Sequence, residues 1–532
     1  MRSIFARHGR VLVAITLCLM VLLLPEVMKS APLIPPKGAL QAILLLLLLA
    51  LLLTLAISSI YGLLLAAMVS ILQWSNVIHL QYFGAYFRRR DFLLVSQESK
   101  DIFLGLMGSR DVWQTYVAGL ITTIALIVLA RRISPWRSRK GVLAGLALLL
   151  IPVSVVGSKE PWRTEPDNRK PAIVNALYAW GGFMVDQLAL GRQVPKHQWL
   201  DYHVEPSQPS SPKPSILLIM GESLNPSHMG IMGYERNTTP HIAKLLQAFE
   251  GGHGEIISAG VSTRVSIPTF LNVVREPGQD ASMRASSANL FRLAKRERYQ
   301  TAFVSVQELT GISAVIGKEA IDHWVDAVDR PVSSDFPDGH LLDRVKNVGL
   351  DLQQPFFMVV NTRATHLPYE SNFPADFAVF SKTQDKELLK SRINAYDDAM
   401  RWFDLNVHRV VSHVMSATTQ PVIVVMISDH GQIVGRNGRF GHNVLERDVY
   451  VTPYVWLLND AALSFSKNLR KCPLNHYRLA STLASILGYS VENPNEQVKP
   501  DTYWVNGTSL DGASGSFSYS GATWLPQLKC GS

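Results

Sequence analysis

The sequence predicts two parts: an N-terminal helical transmembrane domain of about five spans, then a C-terminal α/β domain with a mostly parallel sheet sandwiched by helices. Three observations carry this reading. Charged residues are sparse in the first third of the 532-residue chain, and residues 38–87 hold no Asp, Glu, Lys or Arg. From Ser215 onward, short apolar runs alternate with amphipathic stretches, the pattern of strands joined by helical crossovers. Two of those runs, Ser215 to Met220 and Pro421 to Met426, end in the polar motifs Gly221-Glu222-Ser223 and Ser428-Asp429-His430-Gly431. Buried strands of open α/β sheets end in this way at the rim where ligands collect.

Taken in order, spans are predicted over Val11 to Leu24, twice between Lys37 and Arg88 with a turn near Ser58 to Gly62, over Val112 to Ala130, and over Gly141 to Gly157. No small-x-small cleavage site follows the first, so it is read as a span and not a signal peptide. Arg2, Arg7 and Arg10 precede the first span, and Arg131, Arg132, Arg137, Arg139 and Lys140 separate the fourth from the fifth. Short basic loops stay in the cytoplasm, so the chain after Gly157 is expected outside, in the periplasm of a bacterium with the protein in its inner membrane. Arg88, Arg89 and Arg90 then fall outside too, and Gln81 to Arg110 is read as an interfacial helix whose arginines meet lipid phosphates, with a re-entrant segment as the alternative.

These features divide the chain into a transmembrane domain (1–158), a connector (159–214) and an outer domain (215–532). The connector is expected to hold an amphipathic helix over Ile173 to Leu190 and a Pro/Ser linker from Pro206 to Pro214. In the outer domain, helices are predicted over Ser287 to Arg298, Leu341 to Leu350 and Asp385 to Val414. Strands follow over Thr301 to Val306, Pro355 to Asn361 and the run before Asp429.

The formal net charge of +9 would suit a nucleic acid. Inside-facing loops and a lipid-facing surface account for much of it, however, and no nucleic-acid motif is present, so no such partner is expected. Of three cysteines, Cys18 lies in a span, while Cys472 and Cys530 lie where oxidation is permitted and are expected to pair.

Glu222, Asp429 and His430, delivered by two strand ends, suggest one divalent-metal site. A nucleophile is expected nearby. Glu255 to Ala259 reads as a strand, and Gly260-Val261-Ser262-Thr263-Arg264-Val265-Ser266-Ile267-Pro268 leads from it into a helix. A hydroxyl at such a turn sits beside backbone N–H groups that favour phosphate, which makes Thr263 the candidate. Residues of this type more commonly serve as helix N-caps. His228 and His241 are read as structural and His408 as a surface residue.

Gly221-Glu222-Ser223, His228-Met229, Gly233-Tyr234-Glu235-Arg236-Asn237-Thr238-Thr239-Pro240, the Ser262-Thr263 segment and Ser428-Asp429-His430-Gly431 together resemble the membrane-anchored phosphoethanolamine transferases of the alkaline phosphatase/sulfatase superfamily. The resemblance runs from about Ser215 to the C-terminal region. It implies an alkaline-phosphatase-like outer domain and a zinc ion held by Glu222, Thr263, Asp429 and His430, with a second ion left open. Thr263 would be both ligand and nucleophile, and His366 and His442 would face the phosphate or a second metal. It also implies phosphatidylethanolamine as donor, a cell-envelope glycan or glycolipid as acceptor (lipid A, core oligosaccharide or periplasmic glucan), and contact with membrane lipid.

The chain departs from that family in two places. Cysteines that often flank the nucleophile are replaced by Ala259 and Thr269, and the Asn and Lys that often follow a later strand are not evident in Val304-Ser305-Val306-Gln307-Glu308. A phosphoglycerol transferase of the same superfamily is the alternative, ahead of a membrane-anchored sensor without activity. A sulfatase is disfavoured, since Ser266-Ile267-Pro268-Thr269-Phe270 places Phe where the formylglycine pattern needs Arg.

Overall fold

The structure, a computed structural model, describes residues 2–28, 39–83, 86–89, 91–92, 110–159, 164, 166, 170–188, 200–207, 211–279, 283, 287–309, 311–329, 336–382, 387–470, 473–495, 499–510, 512 and 515–529. Cys472, Cys530 and most of the expected interfacial helix over Gln81–Arg110 lie outside the described residues. The chain divides into two compact units, residues 1–194 and 195–532.

The first unit consists of α1 (Arg2–Leu23), α2 (Ala39–Ala56), α3 (Ile60–Phe83), α4 (Arg110–Ile133), α5 (Gly141–Ser158) and α6 (Ala172–Gln187). Among the described residues, four helical segments are long and apolar enough to cross a membrane, Arg7–Val27, Ile60–Leu80, Gln114–Ile133 and Gly141–Ser158; Leu40–Ala56 is apolar but shorter. The uncharged α2–α3 turn and the basic loop after α4 share one end of this bundle. There the Arg131 guanidinium donates to the Ile57 and Ser59 carbonyls, and Ser58 Oγ donates to the Ser138 carbonyl at 3.2 Å. The amphipathic helix of the connector, α6, packs on α5 within this unit. A β-carbon at Gly181 would stand 2.7 Å from the Pro152 carbonyl oxygen, so only glycine allows the two backbones to approach so closely. Arg89, expected to meet lipid, lies 3.5 Å from Asp186 of α6.

The second unit is built on a seven-stranded sheet. After β1 (His203–Pro206) come β2 (Ser215–Gly221), β3 (Glu250–Ile257), β4 (Gln300–Ser305), β5 (His323–Val325), β6 (Phe356–Asn361), β7 (Val422–Ser428), the small hairpin β8 (Ile433–Val434) and β9 (Phe440–Gly441), and β10 (Val451–Leu458). The sheet order is β3-β10-β7-β2-β6-β4-β5. Only β10 runs against its neighbours, pairing antiparallel with β3 and β7. β2, β6 and β7 are buried at every position. That is why they read as continuous apolar runs instead of alternating ones.

Two apolar layers cover the faces of the sheet. On one side lie α8 (Thr263–Leu271), α9 (Leu290–Arg296) and, near the C-terminus, α12 (His476–Ile486). On the other lie α7 (Pro240–Ala248), α10 (Leu341–Lys346) and the long α11 (Leu388–Ala417). Buried side chains such as Phe270, Phe291 and Leu483 fill the first layer and Leu245, Val345 and Phe403 the second. Most expected and observed elements agree to within a few residues at their ends, but α1 starts at Arg2 where the span is expected from Val11, β3 starts at Glu250 where the strand is expected from Glu255, and within the expected interfacial helix residues 81–83 continue α3 and 86–88 are not helical.

Candidate metal and nucleophile site

β2 and β7 are parallel neighbours in a register that aligns Gly221 with Ser428, so the next residues, Glu222 and Asp429, emerge side by side at the rim. The Asp429 N–H donates to the Gly221 carbonyl at 2.9 Å and locks this step. Glu222, Asp429 and His430 are fully buried, 0 % exposed. One ligand atom from each lies within 4.8 Å of the others. Ser223 adopts a left-handed conformation with φ of 58°, a strained state for a residue with a side chain. That turn lets its N–H reach Asp429 Oδ1 at 3.2 Å and its hydroxyl reach Glu222 Oε1 at 2.7 Å. Tyr396 of α11 holds the turn, accepting from Asn225 N–H and donating to the Ser223 carbonyl, both at 2.9 Å.

Thr263 is the first residue of α8, with Ser262 in the N-cap position, so Thr263 itself does not cap the helix. Its Oγ1 donates to Glu222 Oε2 at 3.1 Å and lies 3.2 Å from His430 Nε2. His430 Nδ1 is 2.9 Å from the Gly431 carbonyl and must donate to it, which leaves the Nε2 lone pair facing the carboxylates. Gly431 is required there, since a β-carbon would stand 2.3 Å from the Asp448 carbonyl oxygen.

His366 and His442 join the cluster. The ring of His442 lies 4.4 Å from that of His430 and 5.7 Å from that of His366, centroid to centroid. His442 Nδ1 sits 3.0 Å from Gln432 Oε1, and His366 Nδ1 sits 2.5 Å from the Leu367 carbonyl. All three imidazoles are thus fixed in the tautomer that presents Nε2. The sequence-predicted site residues Glu222, Thr263, His366, Asp429, His430 and His442 are all brought together.

Electrostatics sharpen the picture. Burial and then the Glu222 carboxylate push Asp429 up to about 7. Burial acts to raise Glu222 as well, but the imidazoles of His430, His366 and His442 outweigh it and hold Glu222 below the ordinary carboxylate range. Burial, with His430 and His366, pushes His442 well below the usual histidine range. Asp429 Oδ2 is buried and has no hydrogen-bond partner, a costly state for a carboxylate oxygen. Two adjacent carboxylates, one of them with this orphaned oxygen, one imidazole lone pair and one hydroxyl fit a small divalent cation with mixed nitrogen and oxygen ligands.

The structure adds residues that the sequence did not single out. Gln307, just past β4, donates to Glu222 Oε2 at 3.1 Å and to the Thr362 carbonyl; it lies in the segment where Asn and Lys were sought. Arg264, next to the nucleophile, lays its guanidinium 3.3 Å from the point a β-carbon on Gly311 would occupy. Asn506 brackets the turn before Thr263, donating to the Ala259 carbonyl and accepting from Val261 N–H at 3.1 Å. His228 and Arg236 instead pair with Asp397 of α11, at 2.7 and 2.8 Å, as structural residues would.

A buried strand pair that delivers two carboxylates and an imidazole, faced by a threonine at a helix start, defines a class, and comparison with known proteins agrees. The family model described as Sulfatase matches residues 214–489, just over half the chain, so this chain belongs to the sulfatase family.

Within it, the chain is 24% identical over 316 residues to Kdo(2)-lipid A phosphoethanolamine 7''-transferase of Salmonella typhimurium, covering 55% of this chain and 54% of that protein. It is 23% identical over 258 residues to phosphatidylethanolamine transferase Mcr-1 of Escherichia coli, covering 45% and 47%. The chain therefore spans about half the length of the curated relatives it matches. In fold it is similar to the integral membrane lipooligosaccharide phosphoethanolamine transferase A (EptA) of Neisseria meningitidis, with a TM-score of 0.61, 17% identity, and coverage of 89% of this chain and 96% of that one. The C-terminal periplasmic domain of EptC from Escherichia coli gives a TM-score of 0.51 at 18% identity, covering 60% and 97%.

Proposed function

We propose that this protein transfers phosphoethanolamine from phosphatidylethanolamine to a glycan or glycolipid of the bacterial cell envelope, through a covalent intermediate on Thr263. The second unit would face the periplasm, with the apolar helices in the inner membrane. The observation that carries the reading is the placing of Thr263 Oγ1 within 3.2 Å of both Glu222 and His430 at the start of a helix. The names of the relatives supply the group transferred.

Glu222, Thr263, Asp429 and His430 would hold a zinc ion. When bound, the ion lowers the pKa of the threonine hydroxyl and draws charge from the phosphoryl oxygens. In the first step Thr263 Oγ1 gives up its proton to the base and attacks phosphorus, while the bond from phosphorus to the glycerol oxygen breaks. A proton delivered to that oxygen completes diacylglycerol. In the second step an acceptor oxygen attacks the phosphothreonine and gives up its proton, and Thr263 leaves with its own restored.

To take the acid role His366 must carry a second proton, on Nε2, beside the one Nδ1 donates to the Leu367 carbonyl; His442, held neutral, takes the base role. Arg264 is the cation beside the nucleophile that would meet the non-bridging oxygens. Two in-line displacements retain configuration at phosphorus.

The test is mass spectrometry of protein supplied with donor and no acceptor. A phosphoethanolamine adduct should map to Thr263, disappear in Thr263→Ala, and form at a reduced rate in Thr263→Ser. A phosphoglycerol adduct would change the donor, and an adduct on Ser262 or Ser266 would overturn the assignment of the nucleophile.

A further inference from the structure

We propose that His476 is a positioning residue that fixes the turn carrying Thr263 against the strand end carrying Asp429. The inference rests on Thr263 being the nucleophile. His476 opens α12, far along the chain from the site, and is fully buried. Its Nδ1 accepts from the Ala259 N–H at 3.2 Å and lies 3.4 Å from Ser266 Oγ. Ala259 precedes Thr263 and Ser266 follows it, so a single ring nitrogen meets both sides of the turn.

The same ring reaches the end of β7 through Ser266. Ser266 Oγ, 3.4 Å from the ring nitrogen, donates to the Asp429 carbonyl, beside Ser258 Oγ at 2.9 Å. Phe270 packs edge-on to the imidazole with centroids 5.3 Å apart. Because Nδ1 accepts a backbone N–H, the ring proton is on Nε2, which has no hydrogen-bond partner. Burial pushes His476 down to about 3, so the lone pair on Nδ1 persists at every physiological pH.

Ala259 and Thr269 line one small cavity with His476 and Asn506, about 10 Å³ in volume, room for one water at most. Neither residue carries sulfur, so no covalent link joins the two ends of the segment there. His476, which accepts the Ala259 N–H, and Asn506, which donates to the Ala259 carbonyl, hold the first end by hydrogen bonds instead. A displacement of Thr263 by about 1 Å would lower the rate roughly 10²-fold.

The experiment compares His476→Phe, which fills the space without an acceptor, with His476→Asn, whose Oδ1 falls near the position of Nδ1, and His476→Gln, whose polar atoms fall near Nε2. Adduct formation, zinc content, donor KM and hydrogen exchange of the 258–266 peptide are measured on the full chain. In His476→Phe the rate of adduct formation should fall roughly 10²-fold, exchange at 258–266 should rise, and zinc content and donor KM should stay unchanged. His476→Asn should recover most of the rate and His476→Gln should not.

Wild-type rates in a folded, zinc-loaded His476→Phe would overturn the proposal, as would parallel loss of zinc and rate, which marks a role in folding alone. If His476→Phe does not fold, equal rates in the Asn and Gln variants overturn it. The exchange readout does not depend on the chemistry, so failure of the Thr263 reading remains distinguishable.

Discussion

Replacing Tyr396 with Phe should weaken the metal site without touching any ligand. The side chain is fully buried. Its hydroxyl accepts the Asn225 N–H and donates to the Ser223 carbonyl, each at 2.9 Å. Tyr396→Phe leaves both backbone groups buried and unpaired, and each costs about 1–3 kcal/mol. The sum, about 2–6 kcal/mol, is a large share of the stability of a typical domain.

The loss has a local form, because Ser223 is held at φ 58° and such strain persists only while its surroundings enforce it. Released, Ser223 would withdraw its N–H from Asp429 and its hydroxyl from Glu222. Thermal unfolding and zinc titration of the full chain in detergent would measure both effects: a lower melting temperature with and without metal, and zinc affinity reduced at least tenfold. The control is Tyr489→Phe, which removes a hydroxyl that donates to Glu297 Oε1 at 3.0 Å, just before β4 begins and so at the end of the sheet opposite the Ser223 turn. Unchanged zinc affinity in Tyr396→Phe would refute the claim that this hydroxyl sets the ligand geometry.

Three further outcomes are expected. Ala at Glu222, Asp429 or His430 should strip zinc and nearly abolish transfer, and a chelator should do the same to the wild type; full activity of Asp429→Ala would dismiss the site. Arg264→Gln should raise the KM for donor several-fold at unchanged zinc content, measured with a soluble phosphoethanolamine ester, and an unchanged KM would remove Arg264 from phosphate binding. Asp338, which accepts from Arg363 and Ala364 N–H in the loop before His366, is pushed up to about 7 chiefly by burial. The folded state therefore keeps a proton that the unfolded chain has lost above pH about 4, and stability should fall as pH rises from about 4 to 7, by something on the order of 4 kcal/mol. Melting temperatures of Asp338→Asn should show a flatter slope across that window.

How much of this was legible in the sequence depended on whether the signal was local. Glu222, Asp429 and His430 stood out because β2 and β7 are buried on both faces and end in sudden polarity. Thr263 was found because a strand, a Gly and a hydroxyl-rich turn precede a helix. The helices of the first unit were marked by the absence of charge.

The supporting residues carry no such mark. Asn506 and His476 reach the turn from more than 200 positions away, and Tyr396 looks like any apolar residue of an amphipathic helix. Gln307 lies in the segment that lacks the family's Asn and Lys, and its residue type matches neither. Its role follows from β4 standing two places from β2 across β6, a pairing that no local pattern encodes.

The sheet order also divides the site into a fixed half and an adjustable half. Glu222 and Asp429 ride on adjacent central strands joined over seven aligned pairs, from Ser215↔Val422 to Gly221↔Ser428. Their spacing can change only if β2 slides along β7. Thr263 instead follows β3, an edge strand that within the sheet is separated from β7 by the antiparallel β10. Sequence change in the loop between β3 and α8 can therefore retune the approach of the hydroxyl to phosphorus while Glu222, Asp429 and His430 stay where the central strands set them. Change in β2 or β7 would move both at once. A lineage exploring new acceptors has one side of this site free to vary.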